Sequence, residues 1–245
     1  MPNRDRLFDT PRSTLEDFTF DTAVAAVFPD MVQRSIPGYH TIIHTLGQLT
    51  KRFMRPHSRA YDLGCSLGAA SLAIYHHLSL PGCQIIAIDS SAAMVAGCQR
   101  QVVALGAQHT IQVIHADLNE ITIDGAALVV LNFTLQFMAP EQRLGILQRI
   151  YQGLQPGGLL MLSEKLAFTD PSQHQLLDEL HLDFKRAQGY SELAISQKRT
   201  ALEQVMRIDT LETHQARLRR AGFKQITLWF QYLNFGSLLA LKNSV

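Results

Sequence analysis

The sequence predicts an α/β fold in which helices cover both faces of a mostly parallel sheet. From residue 59 onward, short apolar runs alternate with segments of helical periodicity, as in successive β-α-β units. Apolar residues make up 47% of the 245 residues and charged residues 18%, so the chain can bury a full core. No repeat or low-complexity segment interrupts this pattern, and we expect a single domain over residues 1–245.

The expected elements follow one another in a regular order. Residues 1–58 are interpreted as an N-terminal helical arm with an irregular start and a break at Pro37 and Gly38. Strands and helices then alternate. The strands are expected at RAYDLGC, CQIIAIDSS, IQVIHADL, AALVVLNF and LLMLSEKL, and the helices at AASLAIYHHL, AAMVAGCQRQVVAL and PEQRLGILQRIYQGL.

The pattern changes after Phe168. Residues 170–208 are polar and helical, and we interpret them as a helical lid inserted over the sheet edge where ligands bind. A peripheral helical pair that only adds stability is the alternative. Beyond it, the helix TLETHQARLRRAGF leads into KQITLWFQYLNF and SLLALK, whose link is short enough to predict an antiparallel hairpin. The complete sheet is therefore expected to have seven strands.

Composition and charge argue against several classes of protein. The net charge of +1 provides no basic field suited to a phosphate backbone, so direct nucleic-acid binding is not expected. The three cysteines form no CxxC pair, which suits a reducing compartment better than a disulfide framework. The first residues lack the apolar stretch of a secretory signal, and the longest apolar tract is too short and too polar to span a bilayer. We expect a cytoplasmic protein without membrane contact.

Four expected strands end on residues that are candidates for ligand contact, at the sheet edge where open α/β folds bind ligands. Glycines in the first loop permit a tight turn and a close backbone approach, and an acid after the second strand can accept hydrogen bonds from both ribose hydroxyls. An acid after the third strand is placed to reach an adenine amino group. The residues concerned are Gly64, Cys65, Ser66 and Gly68 in the first loop, Asp89, Asp117 and Asn132.

Each of these signals has a simpler alternative. A lone glycine loop is often only a turn, and Asp89 is also placed to cap the helix that starts near Ala92. Taken together, the four strand ends predict a nucleoside ligand. Ser66 replaces the central glycine that a pyrophosphate would approach, and the carboxylate of Asp62 would repel a phosphate. An amino-acid ammonium or a sulfonium therefore fits this loop better.

The motifs DLGCSLG, AIDSSAAM, ADL, LNFTLQF and LQPGGLLMLSEK resemble those of class I S-adenosylmethionine-dependent methyltransferases. This resemblance covers residues 59–245 and implies their Rossmann-like fold. Stretches outside these motifs extend the resemblance over nearly the whole chain. With them included, the sequence resembles the carboxy-S-adenosyl-L-methionine synthase family. These stretches are RDRLFDTP, FTFDTAVAAVFPDMVQRSIPGY, LSEKLAF, DFKRAQGYSELAISQKR and LWFQYLNFGSLLALK.

The resemblance implies an activity and a set of partners. Members of this family convert S-adenosylmethionine and prephenate into carboxy-S-adenosylmethionine, phenylpyruvate and water. The product is the carboxymethyl donor for 5-oxyacetyluridine at the tRNA wobble position, so a functional link to a tRNA carboxymethyltransferase is implied. Members are homodimers, and no metal is expected. The positions that match the family's ligand contacts are Tyr39, Gly64, Cys65, Ser66, Asp89, Ser90, Asp117, Leu118, Asn132 and Arg199.

Arg199 is the residue that the resemblance makes most informative, and we assign it the catalytic role. A guanidinium repels the sulfonium of a methyl donor but holds a carboxylated methyl group through two parallel hydrogen bonds. Without the resemblance, a solvated helix face shared with Lys198 is the alternative interpretation. For prephenate, Tyr190 and Lys165 are candidates. Ser163 and Glu164 precede Lys165 at the expected end of the fifth strand, where they would line a pocket or only begin a loop.

Two other functions remain open at this point. One is an ordinary S-adenosylmethionine-dependent methyltransferase acting on a small molecule or on tRNA, which needs no partner for a carboxylate. The other is a binding module that carries a nucleoside ligand to another protein. His174 and His181 are poorly spaced for a shared metal ion, which agrees with the expectation of no metal.

Overall fold

The computed structural model describes residues 3–11 and 16–244. Parts of the expected N-terminal arm, residues 1–2 and 12–15, lie outside the described residues, as does residue 245. The helices are α1 (Thr22–Ser35), α2 (Tyr39–Phe53), α3 (Ala69–His77), α4 (Ala92–Ala104), α5 (Arg143–Gly153), α6 (Pro171–Ala187), α7 (Glu192–Glu203) and α8 (Leu211–Ala221). The strands are β1 (Arg59–Leu63), β2 (Gln84–Asp89), β3 (Ile111–His115), β4 (Ala126–Asn132), β5 (Leu154–Ala167), β6 (Asp209–Thr210), β7 (Gln225–Tyr232) and β8 (Phe235–Leu241).

The sheet has the strand order β3-β2-β1-β4-β5-β8-β7. The pairs among β1 to β5 are parallel, whereas β8 is antiparallel to both β5 and β7. The predicted mostly parallel, seven-stranded sheet with an antiparallel C-terminal hairpin is confirmed. The two-residue strand β6, which pairs with the end of β5, was not expected, because two residues carry no periodic pattern.

Strand β5 is longer than the sequence indicates, and this corrects one expectation. Gly157 and Gly158 were expected to separate the helix from the strand, yet they pair with Lys242 through the N–H of Gly157 and the carbonyl of Gly158. The strand runs on to Ala167, so Ser163 and Glu164 lie inside it rather than at its end. Both side chains are fully buried, and neither lines the cavity described below.

The core of the sheet is buried on both faces. Successive residues of β4 point to opposite sides, and neither Leu128 nor Val129 is exposed. Leu128 packs in a cluster with Ile42 of α2 and Ile74 of α3, whereas Val129 packs in a cluster with Leu147 of α5. Burial of each such side chain contributes about 1.5–3 kcal/mol, so the central strands are held firmly in place.

A third hydrophobic cluster lies apart from these two. It joins the N-terminal segment, through Phe8 and Phe18, to Met31 of α1 and Ile195 of α7. The backbone N–H of Phe18 also donates to the carbonyl of Ala201, at 2.9 Å. Helix α7 is therefore held by the first residues of the chain and by α1, and together with α6 it contributes residues to a cavity beside the sheet.

Candidate active site

A cavity of about 750 Å³ opens at the carboxyl ends of the parallel strands. This is the edge at which open α/β sheets bind ligands, because the loops after neighbouring strands meet there. Residues of α1, α2, α6 and α7 complete its walls. The ten residues that match the family's ligand contacts all line it, namely Tyr39, Gly64, Cys65, Ser66, Asp89, Ser90, Asp117, Leu118, Asn132 and Arg199. Gly68, the other candidate in the first loop, is not among the described residues that line it and instead precedes α3 as its N-cap.

We call the loops that follow β1 to β4 the strand wall, represented by residues 64–66, Asp89, Asp117 and Asn132. In its first loop, Gly64 has a φ of +79°, and a Cβ there would lie 2.5 Å from the side chain of Thr134. Ser66 keeps the left-handed backbone that glycine adopts more readily, with a φ of +49°. The loop thus retains a glycine-type turn although its central residue is serine.

Asp62 precedes this loop and supplies a buried carboxylate to the cavity. Its Oδ2 accepts hydrogen bonds from the backbone N–H and the hydroxyl of Ser71, at 3.0 and 2.7 Å. Burial raises the pKa of Asp62 to about 6, against the lowering effect of these two hydrogen bonds. A cationic group nearby would offset this desolvation, which agrees with the expected preference for an ammonium or a sulfonium.

Asp89 fastens the first loop to the second. Its Oδ2 accepts from the backbone N–H of Ser66 at 2.9 Å, and its Oδ1 accepts from that of Ser91 at 2.8 Å. Burial raises the pKa of Asp89, although these backbone donors act in the opposite direction. The alternative that Asp89 caps α4 is wrong, because the N-cap is Ser91, whose Oγ accepts from Met94.

The third strand end forms the outer rim of the cavity. Asp117 is exposed, and its Oδ1 accepts from the backbone and side-chain N–H groups of Asn119, at 2.8 and 3.0 Å. Leu118 beside it is buried and gives the rim an apolar surface. The carbonyl of Ser90 lies 2.9 Å from Nε2 of His115. An apolar surface next to an exposed acceptor suits a flat heteroaromatic ring that carries an amino group.

Asn132 has an unsatisfied polar atom at the centre of the strand wall. Its Oδ1 is buried and has no hydrogen-bond partner among the described residues. The next residue, Phe133, has a φ of +62°, and its ring lies 6.4 Å from that of Tyr39, measured between centroids. Burial, and then the charge of Asp62, raise the pKa of Tyr39 well above its usual range, so this hydroxyl stays neutral. A buried acceptor without a partner is unfavourable, so a ligand that donates to it would be stabilised.

The opposite side of the cavity, which we call the helical wall, is represented by His181 and Lys185 of α6 and Lys198 and Arg199 of α7. The alternative interpretation of a solvated helix face shared by Arg199 and Lys198 is wrong for Lys198. Lys198 is only 5% exposed, and its Nζ contacts Oδ2 of Asp5 at 3.4 Å and the hydroxyl of Ser35 at 3.1 Å.

Arg199 lines the mouth of the cavity and is half-exposed. Its Nε lies 3.4 Å from Oε1 of Glu203, one turn further along α7. Together with Asp178 and Leu182 it also lines a neighbouring cavity of about 650 Å³. An exposed ion pair of this kind is weak, so the guanidinium can exchange Glu203 for a carboxylate on a ligand.

Sequence reasoning missed Lys185 and His181. Their spacing of four residues on α6 places both on one helix face, and that signal was available. Burial lowers the pKa of Lys185 to about 7, with further lowering from the charges of Lys198, Lys165 and Arg199. Burial lowers the pKa of His181 to about 3. The imidazole is therefore neutral at pH 7, and because a carbonyl only accepts, its Nε2 donates to the carbonyl of Ser35 at 2.8 Å.

Of the two candidates for prephenate, the structure places one at the cavity. Lys165 lines it, with its Nζ 3.3 Å from Oδ1 of Asp178. Tyr190 is not among the described residues that line it. Its hydroxyl donates to Asp5, and its ring lies under the guanidinium of Arg34, 3.9 Å from centroid to Cζ. Tyr190 therefore supports the helical wall from behind.

Glu164, the neighbour of Lys165, also acts away from the cavity. Its carboxylate accepts hydrogen bonds from the backbone N–H groups of Leu135 and Gln136, at 2.8 and 3.0 Å. Burial raises the pKa of Glu164 to about 8, against the lowering effect of these bonds. This contact fixes the turn at Leu135–Phe137 that follows β4 and Asn132.

Within residues 3–11 and 16–244, no group of three or more His, Cys, Asp or Glu side chains is arranged as a metal site. No helix in that part of the chain is long and apolar enough to cross a membrane. Cys65, Cys83 and Cys98 are all free and buried.

Comparison with known proteins identifies a matching family, close relatives and solved structures with a similar fold. A family model described as a methyltransferase domain matches residues 60–158. A carboxy-S-adenosyl-L-methionine synthase of Vibrio cholerae serotype O1 is 55% identical over 99% of this chain and 98% of the relative. The synthase of Cronobacter sakazakii is 56% identical with the same coverage. Human N-acetylserotonin methyltransferase, solved with SAM, superposes with a TM-score of 0.61 at 20% identity, over 91% of this chain and 55% of that chain. The expected methyltransferase fold is thereby confirmed.

Proposed function

This chain belongs to the carboxy-S-adenosyl-L-methionine synthase family, and from that premise we propose that it converts S-adenosylmethionine and prephenate into carboxy-S-adenosylmethionine, phenylpyruvate and water. The family assignment rests on 55–56% identity over nearly the full length of named synthases. An ordinary methyltransferase shares the fold, so the fold alone does not select the reaction.

The observation that carries the proposal is that Arg199 lines the same cavity as the strand wall. Beside the methyl group of a sulfonium, a guanidinium would repel its ligand. After carboxylation of that methyl group the interaction changes sign, because two N–H groups can bind the new carboxylate in parallel. Such a site favours the carboxylated nucleoside over its parent.

The strand wall suits S-adenosylmethionine as a substrate. We assign the ribose hydroxyls to Asp89 and the adenine to Asp117 and Leu118, in keeping with their positions along the cavity. We assign the ammonium group to the unsatisfied Oδ1 of Asn132 and the neighbouring carboxylate of Asp62. These acceptors give the positively charged methionine part a favourable environment.

The reaction needs little from the protein beyond proximity and exclusion of water. Prephenate becomes aromatic when it loses carbon dioxide and its ring hydroxide, and phenylpyruvate remains. The hydroxide removes a proton from the sulfonium methyl group and leaves as water, and the resulting carbanion adds to the carbon dioxide. A closed cavity keeps carbon dioxide next to this carbanion. We propose that α6 and α7, as a helical lid over the strand ends, provide that closure.

The wider role follows from the product. We propose that carboxy-S-adenosylmethionine supplies the carboxymethyl group for 5-oxyacetyluridine at the tRNA wobble position, through a separate tRNA carboxymethyltransferase. The net charge of +1 supports an enzyme that acts on a small molecule rather than on the tRNA itself. We further propose a homodimer in the cytoplasm, where its three free cysteines stay reduced.

Mass spectrometry tests the proposal directly. We expect the purified protein, when denatured, to release a nucleoside heavier than S-adenosylmethionine by one carboxyl group. We also expect phenylpyruvate to form when the protein is incubated with S-adenosylmethionine and prephenate. Release of adenosylhomocysteine alone would favour an ordinary methyltransferase, and absence of phenylpyruvate would refute the synthase.

A further inference from the structure

Lys185 is a buried cation without a partner. The residue is 8% exposed and lines the cavity. Among the described residues, no hydrogen bond or ion pair involves its Nζ. Most of this side chain is withdrawn from water, and a largely desolvated ammonium group is unfavourable unless it is paired, so its position favours an anion from outside the chain.

The charged neighbours of Lys185 do not supply that anion. Lys165, Lys198 and Arg199 are all positive and lower its pKa, whereas Asp178 raises it. Asp178 is already engaged, because its Oδ1 accepts from Lys165 at 3.3 Å and from Asn234 at 2.9 Å.

Two other polar groups at the helical wall are also engaged. Asp5 is bound by Lys198 and Tyr190. His181 donates to the carbonyl of Ser35 and carries no negative charge. The helical wall therefore presents an excess of positive charge around one free ammonium group.

We propose that Lys185, supported by Lys165, binds a carboxylate of the second substrate, and that this is the side-chain carboxylate retained in phenylpyruvate. This inference rests on the proposed function. The second substrate is a dianion, with one carboxylate on its ring and one at the end of its pyruvyl side chain.

The choice between the two carboxylates follows from the chemistry. The ring carboxylate must give up its electron pair to the ring when carbon dioxide leaves, and a cation beside it would stabilise the reactant and slow that step. The side-chain carboxylate keeps its charge throughout, so a cation can hold it without opposing the reaction. Lys185 is therefore a binding residue for the part of the substrate that does not change.

Binding titrations test this assignment with phenylpyruvate, which carries only the retained carboxylate and does not react. In the presence of saturating S-adenosylmethionine, we expect Lys185→Met to weaken phenylpyruvate binding at least tenfold and Lys185→Arg to keep most of it. The affinity for S-adenosylmethionine itself should stay within twofold. Lys224→Met, which removes an exposed lysine outside the cavity, is the matched control and should change neither affinity.

The outcomes separate this inference from the proposed function. Equal phenylpyruvate binding by wild type and Lys185→Met overturns the inference, as does failure of the wild type to bind phenylpyruvate. Weaker prephenate binding with unchanged phenylpyruvate binding would assign Lys185 to the ring carboxylate and also overturn it. Turnover of prephenate by the wild type is measured independently. The proposed synthase activity can therefore be confirmed even if Lys185 does not bind the side-chain carboxylate. Thermal unfolding of Lys185→Met should occur no earlier than in the wild type, since the change removes an unpaired buried charge.

Discussion

The two walls of the cavity are built from different kinds of groups. The strand wall uses backbone N–H groups, short acids and residues with left-handed backbone, all fixed by a sheet that is buried on both faces. The helical wall uses long cationic side chains on α6 and α7, and Asp5 in the first residues of the chain holds one of them. The nucleoside site that we propose is thus part of the sheet architecture, whereas the cations that we propose for carboxylate binding depend on contacts remote in sequence. The variants below disrupt one wall at a time.

The largest effect is expected from Asp5→Ala, which removes a buried carboxylate that accepts from Tyr190 and contacts Lys198. Lys198 would remain buried without its counter-charge, and breaking such a pair costs about 3–5 kcal/mol. Urea unfolding should show that the free energy of unfolding falls by this amount. The exposed Asp9→Ala in the same segment should stay within about 0.5 kcal/mol of the wild type. Equal stability of the two variants would show that Asp5 does not hold the helical wall.

Gly64→Ala disrupts the strand wall instead. A left-handed backbone disfavours alanine by about 1–2 kcal/mol, and the contact with Thr134 adds about 1–3 kcal/mol of overpacking. We expect lower stability and a large loss of S-adenosylmethionine affinity. Gly106→Ala is the matched control, because its φ is +68° and a Cβ there meets nothing within 4 Å. If both variants lost the same free energy of unfolding, backbone strain alone would explain the requirement for glycine at position 64.

Arg199→Ala should separate the two ligands. Charge-assisted hydrogen bonds contribute about 1.5–3 kcal/mol, so affinity for the carboxylated nucleoside should fall about tenfold or more. Affinity for S-adenosylmethionine should change less than about threefold, because the methyl group makes no such bond. Calorimetric titration of both ligands measures this, with the exposed Arg186→Ala on α6 as control. An equal loss for both ligands would remove Arg199 from its assigned role.

The smallest effect is expected for the stability of Lys185→Met without ligand, and it depends on pH. The folded pKa of about 7 lies below the ordinary 10.5, so the unfolded chain binds more protons between these values. The charge therefore destabilises the wild type fully below pH 7, and the penalty fades as pH rises toward 10.5. Lys185→Met should be more stable than the wild type by about 1 kcal/mol or more at pH 6.5, and by less at pH 9.5. If the stability difference between Lys185→Met and the wild type were the same at both pH values, Lys185 would not be an unpaired buried charge.

The sequence predicted the strand wall better than the helical wall for a physical reason. Strand ends of a parallel sheet meet at one edge, so the position of Asp89 or Asn132 after an apolar run already places it there. Burial of Lys198 depends on Ser35 of α1 and on Asp5, and no local pattern encodes those contacts. The start of β5 was missed because Gly157 and Gly158 were taken as a break, although they pair with Lys242. The placing of Ser163 and Glu164 at the strand end was a separate error, since β5 continues to Ala167.

The contact of Asp5 with Tyr190 and Lys198 spans 185 and 193 residues of sequence. During synthesis, Asp5 leaves the ribosome long before its two partners are made. Loop closure over such a distance is slow, so strands β1 to β5 and their glycine turn can form while α7 is still being translated. The helical wall is then completed only after α7 has been made and Asp5 has contacted Lys198. A chain cut before Tyr190 would lack Lys198 and Arg199 of the helical wall, and with them the contact that we propose for the carboxylated nucleoside.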